Sequence, residues 1–269
     1  MRETNPRDKA RLKFGCHDFL NSQPIIRPLL SGAVNPPFEI VLDSPAKLAD
    51  MLKNRKLDLA FIPAVEFASI PGLRIVPGFS IAAKGDVKTV LMYSKKDVED
   101  ITAVAVDNRS RTSVALLKLL MCAYYKRDVI FLEPGKDGAA DDATLVIGDD
   151  AFAVSNEGQK VYDLAGEWFK FTGKPFVFSV LCVGEGVDAD EAIVALKKSK
   201  AVGVQMTGEI CGAQRILAEI GREVCADYLE NRIRYDLAPD DVEGLRLFFN
   251  LAHKHGVIAA EPPLSFYPG

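Results

Sequence analysis

Cysteine is scarce in this chain of 269 residues: there are five, an odd number, and none stands at CxxC spacing. Cys16, Cys122, Cys182, Cys211 and Cys225 therefore read as free, mostly buried thiols. With no partner cysteine at short spacing they do not form a zinc site, and no metal is expected. Long apolar runs are also missing. None approaches the roughly 18–20 residues of a membrane helix, and the mean hydropathy is +0.07. No run of one charge occurs: 33 Lys and Arg stand against 37 Asp and Glu, a net charge of −4. That excludes the basic footprint of a nucleic-acid-binding protein. The opening MRETNPRDKARLKFG is polar and lacks the apolar stretch of a signal peptide, so a cytoplasmic location is expected. GxxxxGK[ST], HExxH and GxSxG do not occur, which removes the P-loop, zincin and nucleophile-elbow signatures. GEGVDA (184–189) mimics a dinucleotide fingerprint, but no clear parallel strand with an acidic end follows it.

What is present is a globular composition, 48% hydrophobic and 26% charged, enough for one large or two modest domains. Strand and helix alternate. RLKFG (11–15), FEIVL (38–42) and LDLAFI (57–62) read as strands. Pro24 opens a short helix after the loop HDFLNSQP. Ser44 and Pro45 open a second, PAKLADMLKNR, with Leu48, Met51 and Leu52 on one face. This spacing implies a parallel sheet. A Gly/Pro-rich stretch, IPGLRIVPGF, and an extended segment, VKTVLMYS (87–94), come next. Then the pattern restarts: ITAVAVD (101–107) as strand, SRTSVALLKLLMCAYYK (110–126) as helix, DVIFLEP as strand. TLVIGDDAF reads as a strand that breaks into a helix at Gly148, and FVFSVLCV (176–183) is β-like. From Ala189 to His255 the chain reads as helical. Two α/β halves joined by extended segments near 90–95 and 177–182 predict two lobes with a cleft between them. Lobe 1 is 1–92 plus 183–269, with the helical tail folded on it, and lobe 2 is 93–182. Lone Trp168 reads as lobe packing.

In open α/β sheets ligands bind outside the carboxyl ends of strands. Three such junctions are rich in polar chemistry: Asn21-Ser22-Gln23, the run DNRSRTS from Asp107 to Ser113, and Gly148-Asp149-Asp150. A helix N-terminus with unpaired N–H groups suits an anion. Ser110, Thr112 and Ser113 would add hydroxyls there and Arg111 a charge; equally, Ser110 could be a plain helix cap over a solvated first turn. His17 lies in a loop that should face the cleft, where it serves either a ligand or a structural hydrogen bond. His253 and His255 fall on a helix end, where the dipole accounts for them.

Read in order, the motifs LNSQP (20–24), LADMLKNRKLDLAFIPAVEF (48–67), IVPGFSIAAKGDVKTVLMYS (75–94), VAVDNRSRTSVALL (104–117), LVIGDDAF (145–152) and YDLAGEWFKFTGKPFVFSV (162–180) resemble the chorismate dehydratase family of the futalosine route to menaquinone. The resemblance covers about Leu12 to Gly256. It implies a periplasmic-binding-protein-like (type II) fold and loss of water from chorismate to give 3-[(1-carboxyvinyl)oxy]benzoate, with neither metal nor organic cofactor. The partner implied is a small dicarboxylate, with no nucleic acid and no membrane. A sister lyase sharing the fold relies on a second-lobe histidine, and here no histidine lies between His17 and His253. On this footing Asn21, Thr89 and Asp149 are the candidate catalytic residues. His17, Ser22, Ser110, Arg111, Thr112, Ser113 and Gly148 are the candidate substrate-binding residues. The base stays open between the substrate's own enolpyruvyl carboxylate and a protein carboxylate such as Glu66 or Asp149. Two departures stand out. Family members usually carry Asn-Tyr or Ser-Tyr before LN, where this chain has His17-Asp18-Phe19, and Thr89 replaces a serine.

Overall fold

The computed structural model describes residues 11–107, 109–133, 142–155, 157–213 and 217–268. The polar start (1–10), Asn108 of the DNRSRTS run, Pro134 and the stretch 214–216 of the helical tail lie outside the described residues.

The first half builds β1 (Leu12–Cys16), α1 (Gln23–Leu30), β2 (Phe38–Leu42), α2 (Pro45–Lys53), β3 (Leu59–Pro63) and β4 (Arg74–Ala83). Pro24 and Pro45 stand in the first turns of α1 and α2, where a missing N–H costs nothing. β1 pairs in parallel with β2 and β3, as the strand–helix–strand spacing implies. The second half builds β5 (Val90–Ser94), β6 (Ala103–Ala105), α3 (Arg111–Leu119), β7 (Ile130–Leu132), β8 (Ala143–Ile147), β9 (Lys160–Asp163) and α4 (Leu164–Thr172). β10 (Phe176–Val183) then returns to the first sheet, and α5 (Asp190–Gly203), α6 (Thr207–Ala213), α7 (Leu217–Asp227) and α8 (Pro239–Lys254) follow.

The two sheets repeat one plan. Their orders are β2-β1-β3-β10-β4 and β7-β6-β8-β5-β9. In each, a parallel trio is extended by antiparallel strands, β10 and β4 in one and β5 and β9 in the other. β3 and β10 are buried along their whole length, the mark of strands covered on both faces. The chain leaves the first sheet after Ala83, has joined the second by Val90, and is back by Phe176. The expected joins, 92/93 and 182/183, thus fall inside β5 and β10. Each of these strands is hydrogen-bonded to one sheet throughout, so the passages are the short segments before them.

Three further differences have local causes. The Gly/Pro-rich stretch IPGLRIVPGF runs into a strand, being from Arg74 on the start of β4. Between its pairings Ile75–Cys182 and Ser80–Val180 the strand bulges, which absorbs Pro77 and the left-handed Gly78. The edge of β4 is covered by the tail through the bridges Ala82–Arg234 and Ile75–Phe266. The tail helix expected around residue 220 is broken by Gly221, whose φ of +75° and ψ of 161° are not helical. The expectation of five free thiols is also corrected: Cys211 and Cys225 form a disulfide, their Cα atoms 5.8 Å apart. α6 and α7 lie side by side, so the pairing is a tertiary fact that a separation of 14 residues does not signal. Cys16, Cys122 and Cys182 are free, and burial pushes the Cys16 thiol up to about 12.

The tail packs on the first sheet, with α5 along α1 and α8 against β10. Trp168 is fully buried where the halves meet. Its ring makes edge contacts with Phe176 on β10 and Phe248 on α8, and its Nε1–H donates to the Pro175 carbonyl at 3.1 Å. Among the described residues no helix is long and apolar enough to cross a membrane.

Candidate functional site

A cavity of about 50 Å³ lies between the two sheets, at the strand ends. One wall comes from the first sheet: His17, Phe19 and Asn21 after β1, Pro63 at the end of β3, and Phe178 of β10. The other comes from the second: Thr89 and Val90 at the start of β5, Ser110 and Ser113 at the start of α3, Ile147 and Gly148 at the end of β8. The apolar majority gives the cavity its shape, and a few polar atoms point into it, the usual make-up of a small-molecule site.

Two of those atoms have no partner. His17 Nδ1 and Asn21 Oδ1 are buried and unpaired, a state that costs free energy unless a ligand completes it. Burial lowers the His17 pKa to about 4, so the ring is neutral at pH 7. It packs against Phe19 at 4.9 Å between centroids. Across the cavity, the Ser110 and Ser113 hydroxyls bond each other at 2.8 Å, and Ser110 makes no side-chain capping bond to α3. The first turn of α3 therefore keeps its N–H groups uncapped by that side chain, beside the cavity.

The predicted residues divide into two groups. His17, Asn21, Thr89, Ser110, Ser113 and Gly148 line the cavity. Gly148 has a φ of +65°, which favours glycine, and a Cβ there would sit 3.7 Å from the Phe19 ring. Its N–H donates to the Thr89 carbonyl at 2.8 Å. The other four do not line the cavity. Ser22 donates to the His17 and Phe19 carbonyls at 2.6 and 2.8 Å, holding the loop that carries His17 and Asn21. Arg111, Thr112 and Asp149 reach across to the opposite half instead. Arg111 pairs with Asp50 at 3.0 Å and with Glu66 at 3.2 Å. Thr112 Oγ1 accepts from the Val65 N–H at 3.2 Å. Asp149 accepts the Leu20 N–H at 3.1 and 3.2 Å. These ties join the two halves of the chain. Burial raises the Asp149 pKa to about 6, against the lowering effect of the Leu20 N–H.

One buried residue at the site escaped the sequence reading. Tyr228 follows α7 and is 1% exposed. Its hydroxyl bonds Thr89 Oγ1 at 2.9 Å. It braces that polar group of the second wall from behind. Nothing marks it in the sequence, because it lies in the helical tail rather than after a strand. Phe19, Phe178 and Ile233 were missed for a different reason: apolar lining residues look like any core residue.

A family model described as menaquinone biosynthesis matches residues 12–254. The chain belongs to this menaquinone biosynthesis family. A curated relative, the chorismate dehydratase of Thermus thermophilus, is 28% identical over 235 residues, 78% of this chain and 85% of that protein. Among solved structures, a protein from Archaeoglobus fulgidus superposes with a TM-score of 0.77 at 18% identity, over 94% of this chain and 100% of the other. The alkanesulfonate-binding protein SsuA of Xanthomonas axonopodis pv. citri, bound to MOPS, gives 0.64 at 16% identity over 94% and 95%. At such identities the likeness is one of fold. This member of the menaquinone family has the two-lobe, periplasmic-binding-protein-like architecture, with the cleft where the cavity lies.

Proposed function

We propose that the chain is a hydro-lyase that dehydrates chorismate to 3-[(1-carboxyvinyl)oxy]benzoate. The observation that carries the reading is the cavity itself. Its two walls present unpaired or weakly paired polar atoms, and no carboxylate lines it among the described residues. A dianion would meet no like charge there. The first turn of α3, with Ser110 and Ser113, would take one carboxylate. Asn21 from the first wall and Thr89, held by Tyr228 on the second, would orient the ring. Family membership and the chorismate dehydratase relative support the same substrate.

The proton to be lost is γ to the unsaturated ring carboxylate, so its removal gives a dienolate. Hydrogen bonds that strengthen as this charge develops stabilise the transition state. Glu66 and Asp149 are engaged with Arg111 and Leu20 and stand outside the lining. In our reading the substrate's enolpyruvyl carboxylate is therefore the base: held close in a closed cavity, a weak base suffices. The C–O bond to the neighbouring hydroxyl then breaks, and that oxygen leaves with the abstracted proton as water. Aromatisation drives the step. In this scheme Asn21 and Thr89 touch the substrate, and Asp149 acts through Leu20 as a positioning residue that keeps the cleft closed.

The test is to incubate purified protein with chorismate and follow the diene absorbance together with product mass. Loss of one water is expected. Tight binding without turnover would replace the lyase by a binding protein for a small aromatic carboxylate. Neither binding nor turnover would move the activity to another cyclohexadiene dicarboxylate, such as isochorismate.

A further inference from the structure

We propose that His17 takes up a proton as a dianionic ligand enters the cavity, and that the resulting imidazolium supplies the one full positive charge facing a ligand carboxylate. The inference rests on the reading of the site as a dicarboxylate pocket and adds to it the charge that the pocket lacks. Among the described lining residues His17 is the only ionisable side chain. Its Nδ1 is buried and unpaired, so a proton placed there has no acceptor in the protein and leaves the charge for a ligand to balance.

The charged neighbours are committed elsewhere. On the same loop, the Asp18 carboxylate accepts from Gln23 Nε2 at 2.6 Å, and Cys16 is a buried thiol. From the second lobe, Asp149 is bound to the Leu20 N–H. From the tail, Tyr228 is bound to Thr89. Arg111, the nearest candidate cation by sequence, is held by Asp50 and Glu66. In the empty cavity nothing offsets the cost of burying an imidazolium, and the ring stays neutral. A carboxylate arriving within hydrogen-bond reach reverses that balance, because an opposite charge in a water-poor site favours the charged form.

Proton uptake makes binding pH-dependent. Between the free and bound titration points of His17, affinity falls tenfold for each pH unit gained. The probe is 3-[(1-carboxyvinyl)oxy]benzoate, a dianion that has already lost water. Calorimetric titrations at pH 7 in phosphate and in Tris should give apparent enthalpies that differ by the uptake of one proton per ligand. The dissociation constant should rise about tenfold from pH 6 to pH 7. In His17→Gln both effects should vanish. Should that variant fold poorly, carbon-13 NMR of histidine-labelled wild type reads the same event. With only three histidines in the chain, the His17 ring resonance should move to the imidazolium position on ligand addition. Equal enthalpies in the two buffers with binding intact, or uptake that persists in His17→Gln, would overturn the role of His17 and leave the dehydratase reading standing. Failure of both chorismate and the product to bind would overturn both.

Discussion

Replacing Asp149 by asparagine should make the protein more stable at neutral pH, although it alters a residue that bonds across the cleft. The argument is one of linkage. Burial holds the folded-state pKa of Asp149 at about 6 against an ordinary value of 3.8. Between those values the folded protein keeps a proton that the unfolded chain has released. The stability contributed by the neutral acid is therefore full below about pH 4 and is lost as pH rises through 6. The gap corresponds to at most about 3 kcal/mol. In Asp149→Asn the amide Oδ1 can still accept the Leu20 N–H, and no charge is buried. The variant should thus gain up to about 3 kcal/mol over wild type at pH 7, and the advantage should fade by about pH 4. His17 works in the opposite sense. Its folded pKa of about 4 lies below the ordinary value of 6.5, so its contribution is lost as pH falls from 6.5 through 4, again by about 3 kcal/mol. In wild type the two oppose each other, and acidification over this window should change stability little through them. In Asp149→Asn only the His17 loss remains. Urea unfolding followed by the fluorescence of the single tryptophan, Trp168, at several pH values from about 4 to 7 measures both. A variant less stable than wild type at pH 7, or a difference independent of pH, would show that the bond to Leu20 outweighs the burial of the charge.

Ser110→Ala and Ser113→Ala should each weaken binding of the product dianion about ten- to a hundredfold, the worth of one hydrogen bond to a charged group, ~1.5–3 kcal/mol; unchanged titration calorimetry would move the anion site away from α3. Asn21→Ala should lower kcat more than it raises KM in the chorismate assay, since the interaction it removes grows in the transition state. Tyr228→Phe should do the same more mildly and cost about 1–3 kcal/mol in urea melts, because it leaves the buried Thr89 hydroxyl without its partner. Reducing the Cys211–Cys225 disulfide, or replacing both residues by alanine, should cost about 3 kcal/mol, the loop-closure value for a span of this length; an unchanged melt would mean that the α6–α7 pair is held by packing alone.

How far the sequence reaches can be seen element by element. FEIVL and FVFSVLCV become β2 and β10 with the ends read from the sequence; for β10 the reason is that a run buried on both faces carries its own boundary. His17, Asn21, Ser110 and Gly148, picked by the rule that ligands sit beyond the carboxyl ends of strands, line one cavity, because each follows a strand whose direction the parallel pattern dictates. β4 was lost to Pro77 and Gly78, whose turn chemistry is local, while the bulge that accommodates them is set by pairing with β10 on either side of them. Arg111, Thr112 and Asp149 share those same junctions, yet they are spent on joining the two halves, and sequence position cannot tell a side chain that faces the cavity from one that reaches past it. The Thr89–Tyr228 bond spans 139 residues and the Asp149–Leu20 bond 129. Periodicity reports which face of an element is buried; it does not report what lies opposite. The pairing of Cys211 with Cys225, the unpaired state of His17 Nδ1 and the raised pKa of Asp149 are all of that second kind. The first was decided where α6 packs against α7, the other two where the two sheets face each other and bury what lies between.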